Sequence, residues 1–215
     1  MKGNRNISWG IILFLTIVCL SGCTLDRIAA QQTKTTHLWD ELVGGETFGQ
    51  AFVSSRNNLY RIDLSMATFA RVNSAPVIIH LKKSPHASSA IFSITLSGSD
   101  IHNERPTSID FTPLPNSGGK SYYIHIESPG AKPGNAITVY ANENDQYPDG
   151  SAYRNGQIVS GDLAFTAYSR ETFTISSILR DWMLNASQDL PFFLCYGILI
   201  LAVSSILFLS IRKRN

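Results

Sequence analysis

The loop Asn142-Glu143-Asn144-Asp145 places four oxygen-bearing side chains side by side, and oxygen atoms are the ligands that Ca²⁺ prefers. The loop lacks the glycine and the distal glutamate of an EF-hand, so the alternative, that it caps a strand, stays open. Two hydrolase patterns are missing from the sequence. There is no Gly-x-Ser-x-Gly elbow, and His102-Asn103-Glu104 has neither the spacing nor the helical context of a zinc protease motif. The sequence therefore predicts a protein that is not an enzyme, and the alternative is a glycosidase whose two carboxylates lie far apart in the chain.

Tyrosine and histidine side chains offer a second kind of chemistry. Tyr123, Tyr147 and Tyr153 are candidates for a ligand platform, because the C–H faces of sugar rings pack on aromatic planes. The alternative is that these tyrosines only pack half-buried strands. His80 and His125 lie in strand-like runs, where a histidine either touches a ligand or is simply solvated.

Residues 1–23 have the pattern of an export signal. Lys2 and Arg5 precede the apolar run Trp9 to Leu20, and small residues follow it. The end of this segment, Leu20-Ser21-Gly22-Cys23, resembles a bacterial lipobox, and the resemblance implies that Cys23 is lipidated. The alternative is an uncleaved anchor in which the cysteine has no role. The other cysteines also lie in apolar segments, so the central part of the chain has no disulfide and no zinc-type cysteine cluster.

Residues 190–211 carry no charge and predict a transmembrane helix, since twenty-two helical residues reach about 33 Å. Arg212, Lys213 and Arg214 follow directly, and such basic flanks stay on the cytoplasmic side. We therefore expect residues 212–215 to be a cytoplasmic tail and the bulk of the chain to lie outside the cytoplasmic (inner) membrane. Residues 171–189 contain an apolar stripe at helical spacing, which predicts a juxtamembrane amphipathic helix or a helix docked on the preceding domain.

The charges argue against a nucleic-acid partner. The formal net charge is +2, but five of the eighteen basic residues flank the two apolar segments. The central part retains thirteen basic and sixteen acidic residues, a net charge of about −3, which gives no basic footprint for nucleic acid.

Between these ends the hydrophobic pattern changes to a period of two. Residues 24–45 predict a loosely helical tether, and residues 46–170 predict an antiparallel jelly-roll-type β-sandwich, so that the fold class is mainly β. Asn155-Gly156 predicts a type I′ hairpin, because both central positions of that turn need a positive φ. The predicted strands cover residues 50–53, 61–66, 76–81, 90–96, 108–111, 122–127, 136–140 and 162–167.

Several phrases of residues 46–168 resemble an extracytoplasmic β-sandwich module of bacterial envelope proteins, sometimes fused to membrane glycosyltransferase-like proteins. They include Gly49-Gln50-Ala51-Phe52, Gly119-Lys120-Ser121-Tyr122-Tyr123, Pro133-Gly134-Asn135-Ala136, Tyr147-Pro148-Asp149-Gly150 and Gly161-Asp162-Leu163-Ala164-Phe165.

The resemblance implies a carbohydrate-binding-module-like or galactose-binding-like fold without a defined activity. It also implies a structural calcium, for which Glu46, Asp162, Glu143 and Asp145 are the candidate ligands, and no other cofactor. The partners expected are the membrane, an envelope glycan or a membrane glycosyltransferase-like protein. The first interpretation is a membrane-anchored binding protein, and the alternative is an accessory subunit of a glycosyltransferase or envelope-glycan export complex.

Overall fold

A computed structural model describes residues 23–103, 105–173, 180, 183–184, 191, 194–199 and 202. Residues Leu25–Glu171 form one compact unit by themselves. The strands are β1 (Cys23–Gln32), β2 (His37–Leu38), β3 (Thr47–Ser54), β4 (Leu59–Leu64), β5 (Met66–Ala67), β6 (Pro76–Lys82), β7 (Ala90–Ser97), β8 (Thr107–Leu114), β9 (Lys120–Glu127), β10 (Thr138–Asn142), β11 (Ala152–Arg154), β12 (Gln157–Val159), β13 (Asp162–Leu163) and β14 (Phe165–Phe173). A 3₁₀ turn covers Gly98–Asp100.

Two larger sheets carry most of the fold. One has six strands in the order β12-β11-β3-β9-β6-β7, and its neighbouring strands are antiparallel throughout. The other has four strands in the order β1-β14-β4-β8. A third, small sheet joins β13, β10 and β2, and β5 also pairs with β10. The prediction of a mainly β, antiparallel fold is confirmed.

The two larger sheets share one hydrophobic core. Alternate residues of each strand point inward, so that Phe48, Phe52 and Ile124 of the six-stranded sheet join Ile62 and Phe165 of the four-stranded sheet. The rings of Phe52 and Phe165 lie 5.5 Å apart across the gap between the sheets. The period-two pattern of the sequence is thus the pattern of a two-layer core.

The predicted hairpin is also confirmed. Arg154 pairs with Gln157, which leaves Asn155 and Gly156 as a two-residue loop. Their φ angles are +51° and +76°, as a type I′ turn requires.

The predicted helical tether over residues 24–45 is wrong. Most of its first half is β1, which pairs with β14, and His37–Leu38 forms β2 against β10. Ala29 and Ala30 are buried, and the Gln32 side-chain amide donates to the carbonyl of Leu163 over 3.4 Å. The sandwich therefore begins well before residue 46.

The C-terminal predictions fall largely outside the described residues. Residues 171–173 of the predicted juxtamembrane helix belong to β14, and most of residues 174–189 lie outside the description. Most of the predicted span over 190–211 and all of the signal segment before Cys23 lie outside it as well. Within the described part of the chain, no helix is both long and apolar enough to cross a membrane.

Candidate functional site

The outer face of the six-stranded sheet carries a line of side chains that the register places side by side. Each strand contributes one residue at the same level, and we call this set the outer row. Its members are Ile158, Tyr153, Gly49, His125, His80 and Ser93. In β3, β9 and β6 the residues on either side are buried, as Phe48 and Gln50 are around Gly49, so alternation leaves the row positions of these strands facing outward. Five interstrand steps of about 4.8 Å give the outer row a length of about 24 Å.

Gly49 is the low point of the outer row because Tyr123 lies across it. A Cβ atom added at Gly49 would meet the Tyr123 hydroxyl oxygen at 2.1 Å, so only glycine fits under this ring. The Tyr123 ring stands edge-on to the Tyr153 ring at 5.2 Å. Tyr123 is only 2% exposed, and burial, followed by the neighbouring Tyr153, raises the pKa of its hydroxyl to about 12. Tyr123 therefore supports the row, while the half-buried Tyr153 offers the accessible aromatic surface.

Two histidines share one carboxylate at the polar end of the row. His80 Nε2 lies 3.2 Å from Glu127 Oε1, and His125 Nε2 lies 3.7 Å from Glu127 Oε2. The second nitrogen of His80, Nδ1, lies 2.6 Å from the hydroxyl oxygen of the exposed Ser93. The two imidazole rings are 5.6 Å apart. This end of the row presents hydrogen-bond donors and acceptors within a few ångströms of each other.

The pKa of His125 is lowered from its ordinary value. Burial is the main cause, and the nearby Lys82 ammonium group and His80 act in the same direction, while Glu127 opposes them. His125 is therefore neutral at pH 7 and can both donate and accept a hydrogen bond.

The four calcium candidates lie in different surroundings. Glu46 contacts the Arg154 guanidinium at 3.3 Å, and Glu143 is exposed with its carboxylate 3.9 Å from His37 Nδ1. Asp145 is exposed, and Asp162 is fully buried. Among residues 23–103, 105–173 and the described positions beyond them, no group of three or more His, Cys, Asp or Glu side chains is arranged to hold a metal ion.

Asp162 has hydrogen-bond partners for both of its carboxylate oxygens. Oδ2 accepts from the backbone N–H groups of Gln146 and Tyr147, at 2.8 and 2.9 Å, and Oδ1 accepts from the Gln50 side-chain amide at 3.1 Å. The Gln50 carbonyl oxygen in turn accepts from the backbone N–H of Leu163 at 2.8 Å. Asp162 therefore fastens the loop after β10 to the core, which is a structural task.

Tyr147 does not join the candidate platform. Its ring stands edge-on to Phe165 at 5.5 Å inside the core, and its hydroxyl oxygen lies 3.1 Å from the backbone nitrogen of Val53. The prediction of Tyr147 as a ligand-facing residue is therefore corrected, because its partners are core residues. Of the three predicted tyrosines, the structure brings Tyr123 and Tyr153 together.

Other features of this part of the structure were not predicted. Glu127 and Ser93 gave no signal in the sequence, because only the register places them beside His80. A small cavity of 260 Å³ near the end of the six-stranded sheet is bounded by Trp39, Asp40 and Arg154, with an Asp40–Arg154 ion pair of 2.8 Å. Trp39 was not predicted to line a cavity, because it lies in the segment that the sequence assigned to a tether.

The fold and the row together define a mainly β protein with an antiparallel two-sheet core and a polar, partly aromatic outer sheet face. Neither the comparison with protein-family models nor that with curated proteins gives a match. Among solved structures, the chain is similar to a family two carbohydrate esterase from Cellvibrio japonicus, with 12% sequence identity and a TM-score of 0.27. The match covers 67% of this chain and 36% of that one. A similarity at this TM-score carries no argument about function.

Proposed function

We propose that this chain is a non-enzymatic protein that binds a neutral glycan chain along the outer row. The observation that carries the proposal is the composition of the row. Ile158 and Tyr153 make one end apolar and aromatic, while His125, His80 and Ser93, with Glu127 beside them, make the other end polar.

A carbohydrate matches this arrangement in two ways. The C–H face of a sugar ring packs on a tyrosine plane, and Tyr153 is held in place by the edge-on contact with Tyr123. Sugar hydroxyl groups both donate and accept hydrogen bonds, as do the neutral His125 and the His80–Ser93 pair. A row of about 24 Å is long enough for several sugar units, so the expected ligand is an extended chain.

Affinity electrophoresis of the full-length chain in mild detergent tests this proposal, with dextran, laminarin, xyloglucan and galactomannan as the soluble probes. At least one of them should retard the protein. Tyr153→Ala and His80→Ala should each weaken the retardation about tenfold, as expected for the loss of a stacking or hydrogen-bonding contact. Tyr140→Ala and His37→Ala alter the same residue types away from the outer row and serve as controls. Retardation by none of the probes, or equal retardation of the four variants, would contradict the proposal.

The proposal includes attachment to the outer side of the cytoplasmic membrane. It is supported by the uncharged run over 190–211, the basic tail after it and the lipobox-like end at Cys23. Protease added to spheroplasts should digest the compact unit Leu25–Glu171, which we call the β unit, and leave a protected C-terminal fragment. Intact-mass analysis should find acyl mass on Cys23. A protected β unit would place the protein on the cytoplasmic side. We also propose that the two larger sheets of the β unit form a jelly roll.

Two alternatives are separated by other measurements. An accessory subunit of a glycosyltransferase or export complex would use residues 190–211 for docking, and a pull-down from mild detergent would recover the complex.

If the outer row were catalytic, Ser93 would act as the nucleophile, with its hydroxyl beside His80 and His80 beside Glu127. A fluorophosphonate probe would then label Ser93. We favour binding because Ser93 lies in the part of β7 that pairs with β6 in unbroken register, whereas nucleophilic serines of the elbow type sit on strained turns.

A further inference from the structure

A second cavity opens where two sheet edges meet. β7 is an edge of the six-stranded sheet and β8 is an edge of the four-stranded sheet. Phe92 of β7 and Phe111 of β8 lie 5.5 Å apart across this gap. The cavity beside them, which we call the edge cleft, has a volume of 670 Å³, within the range of about 300–1,000 Å³ of small-molecule sites. Its lining includes Lys83, Ile91, Leu114, Lys120 and Tyr122.

Both edge strands are irregular at the cleft. Leu81 pairs with Phe92 and Lys82 pairs with Ala90, so Ile91 is an extra residue in β7. On the other side the register also shifts between Leu59, which pairs with Leu114, and Arg61. Bulges redirect side chains and recur beside binding sites. Ile91 and Leu114 are partly buried against the hydrophobic core, and they give the cleft an apolar floor.

The rim of the cleft is positively charged. Lys83 and Lys120 are exposed, and none of the described residues that line the cleft is acidic. Tyr122 lies at the base, and because burial raises the pKa of its hydroxyl, the group stays a neutral donor. Lysines on edge strands protect a sheet from pairing with other chains, but Lys83 follows β6 and Lys120 begins β9, and both strands lie inside the six-stranded sheet. Edge protection therefore does not explain these two lysines.

We propose that the edge cleft binds a single-chain amphiphile with a carboxylate head group, that is, a long-chain fatty acid anion. The acyl chain packs on Ile91 and Leu114, and the carboxylate lies between the Lys83 and Lys120 ammonium groups. The two ammonium groups supply point charges for an anionic head group, and none of the described lining residues carries a negative charge that would repel it. This site is separate from the outer row and does not depend on the glycan proposal.

Photo-crosslinking tests the proposal on the full-length chain in membranes. The probe is palmitate with a diazirine in its acyl chain, and the matched probe has the same chain with a quaternary ammonium head. Mass spectrometry should locate the palmitate label on the peptides that contain Ile91 and Leu114, and the ammonium probe should label them several-fold less.

Lys83→Gln combined with Lys120→Gln should lower the cleft label about three- to tenfold, as expected for losing two exposed charge contacts. Lys34→Gln combined with Lys132→Gln removes two exposed lysines elsewhere and should leave the label unchanged. These are surface changes, so folding is preserved in both double variants. The proposal is overturned if the palmitate label lies elsewhere. It is also overturned if both probes label the cleft equally, or if the Lys83 and Lys120 double variant is labelled as strongly as the wild type.

Discussion

At the scale of single residues, burial and the neighbouring charges set the pKa of His125 in the outer row. Its pKa is lowered by burial and by Lys82, and Glu127 pulls in the opposite direction. In an NMR titration of the full-length chain, His125 should therefore titrate below the ordinary value of 6.5. Lys82→Gln should raise the pKa of His125, and Glu127→Gln should lower it further. Lys132→Gln is the control, and a pKa of His125 that ignores the charge of both neighbours would contradict this account.

The lowered pKa of His125 also determines how the free energy of unfolding changes with pH. The unfolded chain takes up the His125 proton as the pH falls through about 6.5, while the folded chain resists it. This group's contribution to the free energy of unfolding is therefore constant above that pH and declines below it, until the pH has passed the lower folded pKa. His125→Gln should make the unfolding midpoint fall less between pH 7 and pH 5.

A second residue-scale prediction concerns Asp162. Its carboxylate accepts hydrogen bonds from two backbone N–H groups and from Gln50, with no exposure to water. Asp162→Asn replaces one accepting oxygen with a donor that faces donors. We expect a loss of about 2–4 kcal/mol in the free energy of unfolding.

The same variant also tests whether Asp162 is a calcium ligand, because Ca²⁺ would then stabilise the wild type more than the variant. If Ca²⁺ raises the unfolding temperature of the wild type and not that of Asp162→Asn, the carboxylate has a metal-binding role and the structural interpretation is wrong. Asp149→Asn alters an exposed carboxylate of the same region and should leave stability within about 0.5 kcal/mol of the wild type.

At the scale of elements, the β11–β12 hairpin carries Tyr153 and Ile158 and so holds one end of the outer row. Asn155 adopts a positive φ and is tied to Thr47 twice, because its side-chain oxygen accepts from the Thr47 N–H and its own N–H donates to the Thr47 carbonyl. Asn155→Gly keeps the backbone conformation but loses the side-chain bond. Asn155→Ala loses the bond and adds a Cβ atom in a conformation that costs about 1–2 kcal/mol.

The expected order of unfolding temperatures is therefore wild type, then Asn155→Gly, then Asn155→Ala. Differential scanning calorimetry of the three chains checks the order, and Gln157→Ala, an exposed change in the same hairpin, is the control. If the alanine variant is as stable as the glycine variant, the positive φ does not matter for the hairpin.

The elements also show what a single sequence can reveal. Apart from β1 and the second half of β14, the strands of five or more residues overlap the predicted ones, since that length is enough to display a period of two. β2, β5 and β13 have two residues each and display no period. β1 was taken for a tether because it is an edge strand whose residues 24–28 are exposed, and such a strand lacks the apolar alternation of a covered one.

The candidate site was predicted only in part for a related reason. The tyrosines and histidines were visible as residue types, but Tyr123 lies in β9, whereas Tyr147 lies in the loop after β10 with its ring against Phe165 in the core. Glu127 reaches both histidines only because β9 pairs with β6 in one register, His80 opposite His125. Register depends on contacts between distant parts of the chain, and local pattern does not encode it.

At the scale of the whole molecule, β1 and β2 decide where the domain begins. β1 pairs with β14 in the four-stranded sheet, and β2 pairs with β10 in the small sheet. Removing residues 23–43 would uncover β14 and take Ala29, Ala30 and the fully buried Leu42 out of the core. It would also remove the Gln32 amide that the Leu163 carbonyl accepts from.

A fragment of residues 44–170, which contains the whole domain predicted from the sequence at 46–170, should therefore fail to unfold cooperatively. Losing one buried leucine costs about 2–5 kcal/mol, and that is a large share of the 5–15 kcal/mol that stabilises a typical domain. A fragment of residues 23–173 retains the fourteen strands of the described part of the chain and should be soluble and unfold in a single cooperative transition, measured by urea denaturation with circular dichroism. If the shorter fragment unfolds as cooperatively as the longer one, β1 and β2 lie on the domain without being part of it, and the boundary returns to residue 46. If neither fragment folds, the β unit depends on residues beyond Phe173, and the compactness of Leu25–Glu171 does not make it an independent folding unit.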